Sequence, residues 1–255
     1  MTLNSYAAIA QFYDLDYGGL TDDIDFYANL ARAGDGSVLD AGTGTGRIAF
    51  GLAQVGYDVT GIDNAPELLA YALARATETL PRRPRFLAAD LRDFDLGRRF
   101  GVAVLGLNTF AHMLTLPDQE QALTRLHQHL APQGRLVITL ENPYPWITAM
   151  PQNEVLFGWS RPGPGKGERT AMSFATSLDL AAQHRHLELW YDVASPDGSL
   201  RRHRGSFMLR WFYPAELLLL LERCGFATEH IFGSYDLDPF DGQSPLQIVV
   251  AKPQK

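Results

Sequence analysis

The chain has 255 residues, 46% of them hydrophobic and 20% charged, with a formal net charge of -7. This is the composition of an ordinary soluble globular protein, and its acidic balance argues against a nucleic-acid partner. The single cysteine, Cys224, excludes an internal disulfide and a thiolate metal cluster, which favours a reducing, cytoplasmic compartment. Met1–Ser5 lacks the start of a signal peptide, and the longest apolar run, Leu217–Leu221, is too short to span a bilayer, so we expect no membrane association.

The first part of the chain, residues 1–37, is predicted to form an N-terminal helical cap. Amphipathic spacing favours helices over Tyr6–Phe12 and Asp22–Ala31. The stretch between them, Tyr13–Gly19, is typical of a turn-rich linker.

From Ser37 onward, short apolar segments alternate with segments of helical periodicity, which predicts a parallel α/β sheet. The predicted strands are Val38–Asp40, Val59–Asp63, Phe86–Ala89, Val102–Leu107 and Leu136–Leu140. Asn64 with Glu67 predicts a capped start for a helix that runs to Ala76. Asp118 with Gln121 predicts a second capped start, with Gly134 as the exit of that helix.

The alternation stops after the fifth strand, and residues 142–213 are too long for a simple connection. We therefore predict an inserted antiparallel β-sheet that shapes the substrate pocket, with Ser195–Gly198 as a hairpin turn and Arg161–Gly167 as a mobile loop over the substrate. The later elements are predicted as strands Thr170–Leu178, His186–Val193 and Leu200–Phe212, helix Pro214–Cys224, and strands Thr228–Tyr235 and Leu246–Ala251.

The most informative segment is a strand that runs into a glycine-rich turn and then a helix. Gly42, Gly44 and Gly46 allow the backbone to turn tightly and let a ligand lie against the N–H groups at the helix start. A tight turn without a ligand is the alternative. Arg47 stands where a dinucleotide site requires glycine or alanine, and no Gly-Lys-Ser/Thr follows, so the dinucleotide and phosphate-loop fingerprints both fit poorly.

With Asp40 at the strand end, this pattern resembles the first motif of the class I S-adenosylmethionine (SAM) dependent methyltransferases. The resemblance implies an α/β, Rossmann-like, doubly wound sheet of seven strands whose last strand, Leu246–Ala251, is antiparallel. It implies a single methyltransferase domain over residues 1–255, in which residues 38–141 and 214–255 form the SAM-binding core. The cofactor residues that it implies in this segment are Asp40, Ala41, Gly42, Thr43, Gly44 and Gly46.

Carboxylates also end the second and third predicted strands. Asp63 can accept hydrogen bonds from both ribose hydroxyls, with Asn64 beside it, although a charge at a helix N-terminus is the alternative. The resemblance implies that Asp90 accepts from the adenine amino group and that the backbone N–H of Leu91 bonds a ring nitrogen; an exposed loop aspartate is the alternative there. At the fourth strand it places the backbone of Leu107 against the methionine amino group.

The segment Ala7–Asp14 is similar to the N-terminal segment of the small-molecule branch, the sugar amine and glycine-type N-methyltransferases. In that branch the tyrosine, here Tyr13, covers the cofactor. The implied function is methyl transfer by in-line displacement from SAM to a small-molecule N or O acceptor. Methylation of a protein, a nicotinamide-dependent oxidoreductase and a non-catalytic SAM-binding protein remain open, and so does the choice between monomer and homodimer.

A methyl acceptor that must lose a proton benefits from a general base, and His112 follows the fourth strand. A histidine that only bonds the backbone is the alternative. His184, His186 and His203 fall on the inserted strands, but no carboxylate or thiolate completes a ligand set, so no metal is predicted.

Overall fold

The computed structural model describes residues 6–75 and 80–254, so Met1–Ser5 and the predicted helix end at Ala76 lie outside the described residues. The chain divides into two compact units. The first comprises Met1–Gly19 and Met150–Arg210, and the second comprises Leu20–Ala149 and Trp211–Lys255. None of the helices in the described ranges has the length and apolar character that crossing a bilayer requires.

The described residues form eleven strands and seven α-helices. The strands are β1 Ser37–Ala41, β2 Asp58–Asp63, β3 Arg85–Ala88, β4 Phe100–Leu105, β5 Leu130–Glu141, β6 Leu156–Pro162, β7 Arg169–Asp179, β8 His184–Ala194, β9 Leu200–Arg210, β10 Phe226–Phe232 and β11 Leu246–Pro253. The helices are α1 Tyr13–Tyr17, α2 Asp22–Arg32, α3 Arg47–Gln54, α4 Pro66–Arg75, α5 Leu116–Gln128, α6 Pro143–Ala149 and α7 Pro214–Arg223. Short 3-10 helices cover Ala10–Phe12 and Thr109–His112.

The second unit is built on a seven-stranded sheet of order β10-β11-β5-β4-β1-β2-β3. Strands β1 to β5 pair in parallel, whereas β11 is antiparallel to both β5 and β10. The predicted fold class is therefore confirmed, including the reversed last strand and the separate antiparallel sheet. Parallel strands covered on both faces require nearly continuous apolar sequence, and all residues of β1 and β4 are buried.

The helix boundaries of this unit differ from the sequence prediction in two places. Helix α5 begins earlier than Asp118, because the Thr115 side chain accepts a hydrogen bond from the Asp118 backbone N–H and so acts as the N-cap. Gly134 does not end that helix; it lies within β5, where the pairing with β4 shifts register. Gly134 therefore resembles a helix C-terminal glycine in the sequence, but it lies at an irregularity in the pairing of two strands.

Helix α2 belongs to the second unit, and a buried ion pair joins it to α3. The Arg47 guanidinium donates to both carboxylate oxygens of Asp23, at 2.7 and 2.5 Å, and to the backbone carbonyl of Leu20 at 2.8 Å. The division of the chain therefore falls between Gly19 and Leu20, whereas the predicted cap extends to residue 37. Helix α6 and Trp211 also belong to this unit, although both lie inside the predicted insertion 142–213.

The first unit contains a four-stranded antiparallel sheet of order β6-β7-β8-β9. The predicted hairpin turn forms, since Ser195 donates to Ser199 and Gly198 donates to Ser195 through backbone N–H groups. Strand β6 is not among the predicted strands. Its last residues, Arg161 and Pro162, pair with β7 instead of forming part of the predicted mobile loop, and only the residues between β6 and β7 form the turn.

The N-terminal segment packs on this sheet within the first unit. The rings of Phe12 and Tyr191 stack with centroids 4.7 Å apart, and the Asp16 carboxylate accepts from Trp159 Nε1 at 2.7 Å and from the Tyr191 hydroxyl. These contacts hold helix α1, so the predicted linker over Tyr13–Gly19 is largely helical. Tertiary contacts decided the conformation of a segment whose local sequence favours turns.

Candidate active site

The glycine-rich turn follows β1 and leads into α3 as the sequence predicts. Gly42, Gly44 and Gly46 all have positive φ angles, of 83°, 56° and 84°, which side chains of L residues rarely adopt. A Cβ on Gly42 would lie 2.3 Å from Thr109 Cγ2, and one on Gly46 would lie 2.8 Å from the Phe50 ring. The turn therefore requires glycine both for its backbone conformation and for the space around it.

The Asp40 carboxylate lies beneath this turn and is 1% exposed. It accepts a hydrogen bond of 2.6 Å from the Thr43 hydroxyl, while the backbone N–H groups of Gly42 and Thr43 donate to Ile62 in β2. Burial raises the pKa of Asp40 to about 6, although the Thr43 hydroxyl and the charge of Arg47 oppose the rise. The Asp40 carboxylate thus stabilises the turn through its hydrogen bond with Thr43. Ala41, the next residue of β1, is fully buried.

Asp63, at the end of β2, joins the second strand to the glycine turn. One carboxylate oxygen accepts from the Gly44 backbone N–H at 2.7 Å and the other from the Ala65 N–H at 2.8 Å. Burial raises the pKa of Asp63, and these backbone donors oppose the rise. A carboxylate has about four acceptor positions, so these backbone bonds leave acceptor capacity for a ligand hydroxyl group.

Asp90, just beyond β3, is held by four donors. Its Oδ1 accepts from the Arg92 backbone N–H at 2.9 Å and from Arg92 Nε at 2.8 Å. Its Oδ2 accepts from an Arg92 terminal nitrogen at 2.8 Å and from Asn64 Nδ2 at 3.2 Å. The Arg92 side chain lowers the pKa of Asp90 to about 2, so the carboxylate is ionised throughout the neutral range. Leu91, between Asp90 and Arg92, is 8% exposed.

The backbone after β4 contains two consecutive non-glycine residues in the left-handed region, Leu107 with φ of 46° and Asn108 with φ of 62°. Such conformations cost about 1–3 kcal/mol each and concentrate at ligand sites. The Asn108 N–H donates to the carbonyl of Thr139, and its side-chain oxygen accepts from the Glu141 N–H at 2.7 Å. Strand β5 therefore holds the strained segment in place.

His112 ends the 3-10 helix that follows this strained segment. Burial lowers its pKa to about 4, so the imidazole is neutral at physiological pH. A neutral imidazole can accept a hydrogen bond from an N–H or O–H group.

These contacts form a continuous series along the carboxyl ends of the parallel strands. Gly44 and Asp63 join β1 to β2, Asn64 and Asp90 join β2 to β3, and Thr109 fills the space beside Gly42. In an open α/β sheet, ligands bind at this edge where the strand order reverses. The carboxylates of Asp63 and Asp90 are acceptors for ligand hydroxyl and amino groups, and they lie along the same edge as the glycine turn, whose backbone a ligand can approach closely.

Tyr13 lies in the first unit, at the start of α1, with ring centroids 4.9 Å from Tyr17 and 6.0 Å from Tyr6. Its predicted role at the cofactor stays a prediction. Of the histidines on the inserted strands, His186 bonds the Ser206 hydroxyl at 2.9 Å and His203 packs on Phe12. The described ranges contain no group of three side chains suited to a metal ion.

Comparisons with known proteins agree with this geometry. A family described as "Methyltransferase domain" matches residues 38–134. The chain is 30% identical to a glycine/sarcosine N-methyltransferase of Parasynechococcus marenigrum, over 84% of this chain and 71% of that protein. It is 26% identical to a dTDP-3-amino-3,6-dideoxy-alpha-D-glucopyranose N,N-dimethyltransferase of Streptomyces fradiae, over 88% of this chain and 86% of the relative. The solved structure of the CcbJ methyltransferase from Streptomyces caelestis aligns with a TM-score of 0.76 at 24% identity, covering 92% of this chain and 97% of CcbJ.

The seven-stranded sheet with its reversed last strand defines the Rossmann-like α/β fold of the methyltransferase structures that it resembles. The extent and identity of the sequence matches assign the chain to a family: it belongs to the SAM-dependent methyltransferases. SAM is therefore its methyl donor, and a nicotinamide-dependent oxidoreductase is no longer an alternative.

Proposed function

We propose that this enzyme methylates an amino nitrogen of a small molecule. The observation that carries the acceptor class is the agreement among relatives that span most of the chain: their names specify amino sugars and glycine or sarcosine as substrates. Amines share a lone pair that attacks the methyl carbon directly once the nitrogen is unprotonated. An amine acceptor is therefore favoured over the oxygen acceptor that the sequence left open.

The side chains and backbone groups at the sheet edge have distinct tasks in this proposal. SAM, when bound, supplies a methyl group on a sulfonium sulfur, and the acceptor displaces that sulfur by in-line attack on the methyl carbon. Asp63, with Asn64 beside it, accepts hydrogen bonds from the ribose hydroxyls. Asp90 and the backbone N–H of Leu91 hold the adenine. The glycine turn from Gly42 to Gly46 offers backbone N–H groups and close approach. Catalysis then rests chiefly on holding the reacting groups in alignment and excluding water.

The role that we propose for His112 follows from its place just after β4, at the end of the 3-10 helix, and from its neutral state. With a pKa of about 4 it is too weak a base to hold a proton taken from an ammonium group. It can still accept a hydrogen bond from an amine N–H and so orient the nitrogen lone pair. A protonated imidazole would repel an ammonium-bearing substrate, and the lowered pKa avoids that repulsion.

This role predicts the pH dependence of the reaction. Because the pKa of His112 is lowered, the ring is already neutral at pH 5, so kcat/KM rises with pH only as the acceptor amine loses its proton. The variant His112→Asn is expected to lose about three- to tenfold in kcat/KM, the value of one hydrogen bond, with an unchanged profile midpoint. Initial rates between pH 5 and pH 9 provide the measurement. If kcat/KM of the wild type also rose with pH around 6.5, and this rise were absent in the variant, His112 would be acting as a titrating base.

The acceptor class is tested by incubating the purified enzyme with methyl-labelled SAM and matched small molecules that differ only in the acceptor group: an amine, an alcohol, a phenol and a carboxylate. We expect label in an N-methyl product, identified by NMR of the isolated compound. Label found only in the alcohol, the phenol or the carboxylate, or only in added protein, would contradict the proposal. A cytoplasmic location, the lack of a nucleic-acid partner and a monomeric or homodimeric state remain predictions.

A further inference from the structure

Arg92 holds Asp90 more tightly than an exposed loop aspartate is usually held. Its Nε and one terminal nitrogen reach the two carboxylate oxygens, each at 2.8 Å, which is the paired geometry that fixes both the position and the plane of a carboxylate. The Arg92 backbone N–H adds a third bond at 2.9 Å. Rotation of the Asp90 side chain would break these bonds together.

The guanidinium is itself anchored at a second point. The remaining terminal nitrogen of Arg92 donates to Asp118 Oδ1 at 3.1 Å, in the first turn of α5. The other oxygen of Asp118 accepts from the hydroxyl of Thr115, the N-cap of that helix, at 2.6 Å. A continuous set of polar contacts thus joins the end of β3 to the start of α5, and Arg92 is its central member.

The acceptor positions on Asp90 are unequal. Arg92 supplies both donors to Oδ1, at 2.8 and 2.9 Å, and one donor to Oδ2. The fourth donor, Asn64 Nδ2, bonds Oδ2 at 3.2 Å and is the longest of the four. Each oxygen already accepts two hydrogen bonds, so an incoming amino group is most readily accepted at Oδ2, where it would replace the long bond from Asn64.

We propose that Arg92 is a positioning residue that turns Asp90 Oδ2 toward the exocyclic amino group of adenine and so sets the preference of the site for a 6-aminopurine. This rests on the proposed placement of the cofactor at the carboxyl edge of the sheet. The sequence pattern alone predicts no role for Arg92. Because Asp90 is ionised it offers only acceptor atoms, and a purine without an amino hydrogen gains nothing from it.

The test compares two ligands that differ by one group: S-adenosylhomocysteine and its purine riboside analogue, in which hydrogen replaces the 6-amino group. Calorimetry gives the dissociation constant of each for the wild type and for Arg92→Gln. We expect the wild type to prefer S-adenosylhomocysteine by about tenfold, the value of a charge-assisted hydrogen bond. In the variant we expect about a fivefold loss for S-adenosylhomocysteine and less than a twofold loss for the analogue, since only the amino group couples to Arg92.

Two further variants separate positioning from charge and from folding. Arg92→Lys keeps the positive charge without the paired donors and is expected to recover only part of the preference; it also serves as the test if Arg92→Gln does not fold. Arg223→Gln removes another exposed arginine that bonds helix α5, through Glu120, and is expected to leave the preference unchanged.

The results of these titrations distinguish a failure of the positioning role of Arg92 from a failure of the proposed cofactor site. Equal losses for both ligands in Arg92→Gln, or no loss, would overturn the positioning role and leave the methyltransferase assignment intact. Equal affinity of the wild type for both ligands would remove Asp90 from the adenine site and overturn the inference in the same way. Failure of the folded wild type to bind either ligand would instead contradict the proposed cofactor site itself.

Discussion

Replacing Asp63 with alanine is expected to weaken SAM binding by roughly 5- to 150-fold, or about 1–3 kcal/mol. The variant removes the acceptor proposed for the ribose hydroxyls. It also removes the carboxylate that bonds Gly44 at 2.7 Å and Ala65 at 2.8 Å, so the glycine turn loses its connection to β2. Both effects act on the bound cofactor, which places this substitution among the largest expected for the site.

Calorimetric titration with SAM or S-adenosylhomocysteine measures this loss, and Asp58→Ala is the matched control. Asp58 is an aspartate at the opposite end of the same strand, where it pairs with Arg98 at 3.0 Å. Its loss is expected to change the midpoint of thermal unfolding and not the affinity. Similar losses of affinity in the two variants would indicate a general weakening of the sheet and would count against a ribose-binding role for Asp63.

Gly42→Ala is expected to lower the free energy of unfolding by about 2–5 kcal/mol. A side chain at a φ of 83° costs roughly 1–2 kcal/mol. The added methyl would lie 2.3 Å from Thr109 Cγ2 and 2.7 Å from its hydroxyl oxygen, and forcing an extra methyl into packed surroundings costs roughly 1–3 kcal/mol more. The glycine turn also has to move, so cofactor affinity is expected to fall as well.

Chemical denaturation with Gly97→Ala as control separates the two causes. Gly97 has a φ of 62°, and a Cβ there would meet no atom within 4 Å, so this variant carries the backbone cost alone. Combining Gly42→Ala with Thr109→Ala is expected to recover part of the loss, because the obstructing atoms are gone. If Gly42→Ala and Gly97→Ala prove equally destabilised, with unchanged cofactor affinity in both, the close packing of the turn against Thr109 has no energetic role.

The features predictable from the sequence are those that local chemistry determines. A buried strand followed by glycines at Gly42, Gly44 and Gly46 has few alternative conformations, and acidic residues after successive parallel strands must meet at one edge of the sheet. The structure accordingly brings Gly44 to Asp63 and Asn64 to Asp90 within hydrogen-bond distance. Which ligand groups these residues contact is still a proposal.

The features that escaped prediction depend on contacts distant in sequence. Helix α1 is held by the bonds of Asp16 to Trp159 and Tyr191, partners that no local pattern reveals. Strand β6 borders a stretch rich in proline and glycine and is fixed by pairing with β7. Leucine rarely adopts a left-handed conformation, so the sequence does not predict it at Leu107. The contact of Arg92 with Asp118 could be predicted only with the position of α5 known.

The central claim, that the carboxyl edge of the sheet binds SAM, is tested most directly by calorimetric titration of the folded protein with S-adenosylhomocysteine and, separately, with NADH. We expect saturable binding of S-adenosylhomocysteine at one site per chain and no binding of NADH. Binding of NADH without binding of S-adenosylhomocysteine, or no heat with S-adenosylhomocysteine, would contradict it.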